Sequence, residues 1–128
     1  MEILCIPRVE RVVNLLGQTQ VELNHLDRLL EWLLTCDYQE GPVLVSGGLL
    51  HKRPAVNGRY AYGAKNKLLV HAPTGLNVDI FTAEERNWGM AMAVRSGPAS
   101  FCVRLMARFK AIGCAGHAYG GVTDRKGQ

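Results

Sequence analysis

Paired cysteines are missing from this sequence. The four cysteines, at positions 5, 36, 102 and 114, show no C-x-x-C spacing, and the four histidines are equally scattered. Neither a zinc-ligand set nor a disulfide framework is visible. Cys5 and Cys102 sit in apolar patterns and read as small core residues. Long apolar runs are missing too, since none approaches the ~18 residues a membrane span requires. The opening Met1-Glu2-Ile3-Leu4-Cys5-Ile6-Pro7 lacks the basic flank and apolar length of a signal peptide. No membrane partner and a cytoplasmic location are expected. Ser46-Gly47-Gly48 lacks the length and the lysine of a P-loop and reads as a turn. There is no internal repeat and no low-complexity linker. Acidic charge is scarce at the C-terminal end. From Arg86 onward, seven Lys or Arg face a single acid, Asp124, whereas residues 1–85 carry eight basic and ten acidic residues. A basic C-terminal part suits a phosphate-backbone surface, with a solubilising face as the plain alternative.

What is present is ordinary globular composition. The chain has 128 residues, 48% hydrophobic and 20% charged, which suits one compact structural unit with a modest core and argues against disorder. Residues 2–6 read as a short strand stopped by Pro7. Val9 to Leu16 is ambiguous, with a short helix as one reading. Thr19 and Glu22 have the spacing of a capping box, so a helix is expected from Thr19 to about Thr35. Leu23, Leu26, Leu30, Leu33 and Leu34 would lie along its core face. Short strands are expected at Val43-Leu44-Val45 and Tyr60-Ala61-Tyr62. His51, Lys52, Arg53, Arg59, Lys65 and Lys67 punctuate this region as a candidate basic rim.

Lys67 to His71, the turn Pro73-Thr74-Gly75, and Leu76 to Thr82 read as a hairpin. A helix over about Asn87 to Val94 follows, breaking at Gly97-Pro98. The next, Ser100 to Ile112, would place Phe101, Leu105 and Ile112 on one face and stop at Gly113. His117 to Gln128 reads as a hairpin turning at Gly120-Gly121. Asp79 stands in the middle of the strand Asn77-Val78-Asp79-Ile80-Phe81-Thr82. An unpaired charge facing an apolar core is costly, so Asp79 must face water, a cation or a metal. Glu2, opening an apolar strand, shares the problem.

The run Asn77 to Thr82, the acidic link, Asn87-Trp88-Gly89, a short apolar helix ending in Arg95-Ser96-Gly97, and an amphipathic helix closing on Ala111-Ile112-Gly113 together resemble a known junction. They resemble the palm-to-thumb junction of family X DNA polymerases, in particular the short bacterial and phage-type members of that nucleotidyltransferase superfamily. The resemblance implies an α+β fold. A small, mainly antiparallel palm-like sheet with packed helices (1–85) would precede a helical thumb-like part ending in a hairpin (86–128).

It implies that Asp79 matches the third magnesium-binding carboxylate and Glu2 the second, since hard oxygen ligands suit magnesium. Two metals ~4 Å apart are what such chemistry uses to activate a hydroxyl and neutralise developing charge. Arg95, Ser96 and Gly97 match the turn that lies against the incoming nucleotide. Arg104, Arg108 and Lys110 become the expected nucleic-acid contacts. Pro98 stands where the family usually has Ser. The family's first carboxylate, its Gly-Ser triphosphate pair and its last thumb segment have no counterpart between Met1 and Gln128.

The expected function is therefore a palm–thumb fragment that binds nucleic acid or nucleotide without stand-alone polymerase activity. Two alternatives stand beside it. One is a magnesium-dependent nucleotidyltransferase completed by another chain or by a homodimer; the other is a non-catalytic binding module on a decayed fold.

Overall fold

A computed structural model describes residues 1–127. The fold is α+β, and the chain divides into two compact units, Met1–Phe81 and Thr82–Gln128.

In the first unit, β1 (Glu2–Cys5), β6 (Leu50–Lys52), β7 (Asn66–His71) and β8 (Asn77–Thr82) form a sheet of order β1-β8-β7-β6. The β6–β7 and β7–β8 pairs are antiparallel. Met1 donates to the Asn77 carbonyl at 2.7 Å, and its own carbonyl accepts from Asp79 N–H at 2.9 Å. One residue bonded to two partners that flank a third is the parallel pattern. The sheet is therefore mixed. The hairpin expected from Lys67 through Thr82 forms, because apolar alternation on both sides brackets a turn-forming Pro73-Thr74-Gly75.

α1 (His25–Thr35) lies on one face of this sheet. Leu30 joins Leu50, Leu69, Val78 and Ile80 in the buried core, with Cys5, Leu26, Leu33, Leu34 and Tyr62 packed around them. Alternation leaves Glu2, Leu68, Val70, Asp79 and Phe81 on the opposite face. Of the leucine stripe read from the sequence, Leu26, Leu30, Leu33 and Leu34 are thus core, and Leu23 is not part of this cluster.

The start of that helix is corrected. Thr19–Asn24 is a strand, β3, paired antiparallel with β2 (Val9–Val13). Val21 and Leu23 alternate with Gln20, Glu22 and Asn24, a period of two that the pairing with β2 selects over the capping-box spacing. The cap is Asn24, whose side chain accepts from Asp27 N–H at 3.2 Å. Val9 to Val13 is consequently strand rather than helix.

β4 (Tyr38–Glu40) and β5 (Val43–Val45) form another two-stranded ribbon. The strand expected at Tyr60-Ala61-Tyr62 is reduced to isolated bridges, Pro54 with Tyr60 and Tyr62 with Lys67. Ser46-Gly47-Gly48, expected as a turn, is a bend whose last glycine is required twice over. Gly48 has φ +100°, and a Cβ there would lie 2.2 Å from the Leu34 carbonyl oxygen.

The second unit begins with a 3₁₀ turn, Glu85–Asn87, and continues through α2 (Trp88–Ser96), α3 (Ala99–Ala111) and a hairpin of β9 (Ala115–His117) and β10 (Gly121–Thr123). The hairpin turn falls at 118–120, so Gly121 already belongs to β10. Asn87 is buried and ties the two ends of the unit together. Its amide donates to the Tyr119 carbonyl at 2.6 Å, while its Oδ1 accepts from Glu84 N–H at 2.8 Å. Among the described residues no helix is long and apolar enough to cross a membrane.

Candidate functional site

Two places carry the residues singled out from the sequence, one in each unit. In the first, the Met1 bonds to Asn77 and Asp79 set Met1 opposite Val78. That register brings Glu2 alongside Asp79 on the face away from α1. Glu2 is exposed and Asp79 is half-buried. The counter-charge to Asp79 is Arg53, whose Nη2 donates to Asp79 Oδ1. The two side chains are 25% and 20% exposed, so the pair is shielded rather than solvated. Asp79 does face a cation, as its position demanded, but that cation is a guanidinium.

A magnesium ion takes hard oxygen ligands in octahedral geometry, typically one or two carboxylates with waters. Of the two expected carboxylates, Asp79 already has one oxygen engaged by Arg53, and Glu2 is exposed. Among the described residues no group of three His, Cys, Asp or Glu comes together.

Of the expected basic rim, His51, Lys52, Arg59 and Lys65 are exposed, while Arg53 and Lys67 are turned onto carboxylates. Lys67 points under α1, 4% exposed, where it meets Asp27 at 3.1 Å and donates to the Gly63 carbonyl at 2.7 Å. Its ammonium lies 4.8 Å from the centre of the Tyr62 ring and that of Lys52 lies 4.2 Å from it. Lys67 is thus spent on internal structure, while Lys52 stays exposed.

In the second unit, the α2–α3 link forms a groove of about 560 Å³. Gly89, Met92 and Ala93 line it from α2, Ser96-Gly97-Pro98 from the link, and Phe101 and Arg104 from α3. Ser96 ends α2, its hydroxyl donating to the Met92 carbonyl at 2.7 Å. That leaves the oxygen lone pairs as acceptors. Gly97 caps the helix through a bond to the Ala93 carbonyl. A Cβ on Gly97 would lie 2.3 Å from the Phe101 ring, so the absence of a side chain lets the ring rest against the link. Arg95 is half-buried and takes no part in the lining.

The sequence puts Phe101, Leu105 and Ile112 on one face of this helix. Phe101 is 39% exposed and lines the groove, and Ile112 is 71% exposed. Phe101, Arg104 and Arg108 share one side of α3 at helical spacing, whereas Lys110 falls about half a turn away. Arg104, Arg108 and Lys110 are all exposed. Arg53 and Phe101 are thus the two site residues that sequence reasoning missed. Phe101 was legible in principle, as an aromatic three and seven residues before two arginines. Arg53 carried no such signal, because its partner is 26 residues away.

Comparisons with protein-family models, with curated proteins and with solved structures return no match to this chain.

Proposed function

We propose that the chain is a nucleotidyltransferase-like palm–thumb fragment that binds a nucleotide or a nucleic-acid strand without transferring nucleotides on its own. The observation that carries this reading is the α2–α3 groove. It sets an aromatic face and a guanidinium beside the Ser96-Gly97 turn that the sequence motif singled out. Its volume lies within the range of small-ligand sites. Stacking on a ring such as Phe101 is worth ~1–3 kcal/mol per base, and Arg104 and Arg108 continue the same side of α3 toward a phosphate backbone.

The Arg53–Asp79 pair favours binding over catalysis, because the guanidinium already engages Asp79, the carboxylate that the resemblance assigns to metal binding. Magnesium therefore has no step in this reading. Fluorescence anisotropy with a labelled single-stranded oligonucleotide and with a free nucleotide tests it. Binding should weaken by roughly tenfold or more in Phe101→Ala. Equal affinity of wild type and variant for both probes would remove the groove from the reading. Primer extension with magnesium and nucleotides should yield nothing from the purified chain. Robust extension would promote instead the enzyme completed by self-association.

A further inference from the structure

We infer, resting on the reading of the α2–α3 groove as a binding site, that its ligand is an unpaired nucleic-acid strand. A free nucleotide and a duplex both fit it less well. The link between the helices offers little to hold a phosphate. Ser96 has spent its hydroxyl proton on the Met92 carbonyl at 2.7 Å, and Gly97 N–H bonds to the Ala93 carbonyl at 3.1 Å. Pro98 has no N–H. A phosphate at the link would meet lone pairs rather than donors. A free nucleotide would therefore rest its phosphate charge on Arg104, the one cation among the described residues that line the groove.

Positive charge continues beyond the groove. From Trp88 to Thr123 the chain holds Arg95, Arg104, Arg108 and Lys110 and contains no Asp or Glu. Arg104 and Arg108 are both exposed, and among the described residues no ion pair engages either. Arg108 follows Arg104 by four residues, about 6 Å further along the same side of α3. A second phosphate of the same chain can follow the first along that step. The charge complement of this side is thus a run of linked phosphates. The exposed Phe101 ring stands at the groove end of the row. Paired bases inside a duplex are stacked on one another and have no face to give it, whereas an unpaired base does. An acidic peptide would satisfy the arginines but brings no base for the ring.

The test is competition, read by fluorescence anisotropy, for a labelled single strand of about ten nucleotides bound to the full chain. The competitors are the unlabelled strand, its duplex, a nucleoside triphosphate, inorganic polyphosphate and polyglutamate. The strand should compete at least about tenfold better than each of the others. Phe101→Ala should erase its advantage over polyphosphate. Arg108→Gln, outside the groove, should lower the salt slope for the strand by about one unit. Should Phe101→Ala fail to fold, Phe101→Leu keeps the apolar bulk and removes the ring. A triphosphate that competes as well as the strand, with both dependent on Phe101, would overturn the inference and leave the groove reading intact. A duplex that competes equally, with Phe101 still required, would do the same. Equal competition by polyphosphate or polyglutamate, indifferent to Phe101, would overturn both, as would no binding of the labelled strand.

Discussion

Lys67 is a charge on the core-facing side of a strand, and its surroundings show how the fold tolerates it. The side chain is 5% exposed while its partner Asp27 is 48% exposed, so the two ends of the pair differ in their access to water. Removing Asp27 strands the buried ammonium, whereas replacing Lys67 with an apolar chain of similar length leaves only a half-solvated carboxylate. Asp27→Ala should therefore cost about 1–3 kcal/mol in urea denaturation. Lys67→Met should cost much less or stabilise. The reverse order would mean that Gly63 and the Tyr62 ring, rather than Asp27, hold the lysine.

Cys5, beside this cluster, gives a prediction with a sign. Burial pushes its thiol above the ordinary pKa, and Lys67 pulls it partly back. A raised folded-state pKa means that the thiol's contribution is complete below the ordinary value. It declines above that value, because the unfolded chain ionises first, and is lost once pH passes the raised folded-state value. The wild-type minus Cys5→Ala stability difference should fall across that alkaline interval. A flat difference would show that Cys5 titrates alike in both states.

At the scale of the element, α3 carries the clearest functional pattern. Replacing Arg104 and Arg108 together should flatten the slope of log affinity against log salt by roughly one to two units for an oligonucleotide. Lys110→Ala, on the other side of the helix, should change it far less. An unchanged slope in the double variant would make the arginine side an ordinary solvated face. Gly97→Ala should displace the Phe101 ring and weaken binding with little loss of helix content by circular dichroism.

Elements differ in how legible they were. β7 and β8 could be read directly, since their alternation and their turn agree. α2 and α3 could be read within two residues because Gly97-Pro98 separates them. The stretch from Thr19 to Asn24 satisfied two patterns at once. Only its pairing with β2 decides between them, and that pairing is tertiary information. The roles of Arg53 and Lys67 were equally hidden. Both were counted as rim residues, but β6–β7–β8 pairing and α1 docking turn them onto carboxylates that are distant in sequence.

For the molecule as a whole, the leucine face of α1 needs no second copy to cover it. Leu26, Leu30, Leu33 and Leu34 are already packed on the sheet. The large apolar side chains left exposed on this helix are Leu29 at 53% and Trp32 at 61%. Self-association, if light scattering detects a doubled mass at micromolar concentration, should therefore be sensitive to Trp32→Ser and indifferent to Leu30→Met. A doubled mass that survives Trp32→Ser would place the contact elsewhere.

The placing of the tryptophans has an optical consequence. The sequence contains two, Trp32 in the Met1–Phe81 unit and Trp88 in the Thr82–Gln128 unit. Each unit therefore carries its own emitter. Trp32, well exposed, should emit close to the colour of free indole, and half-buried Trp88 should emit at shorter wavelength. Single Trp→Phe variants give a chain in which either unit can be watched alone during denaturation. Coincident curves from the two variants would mark one cooperative transition, and separated midpoints would mark two.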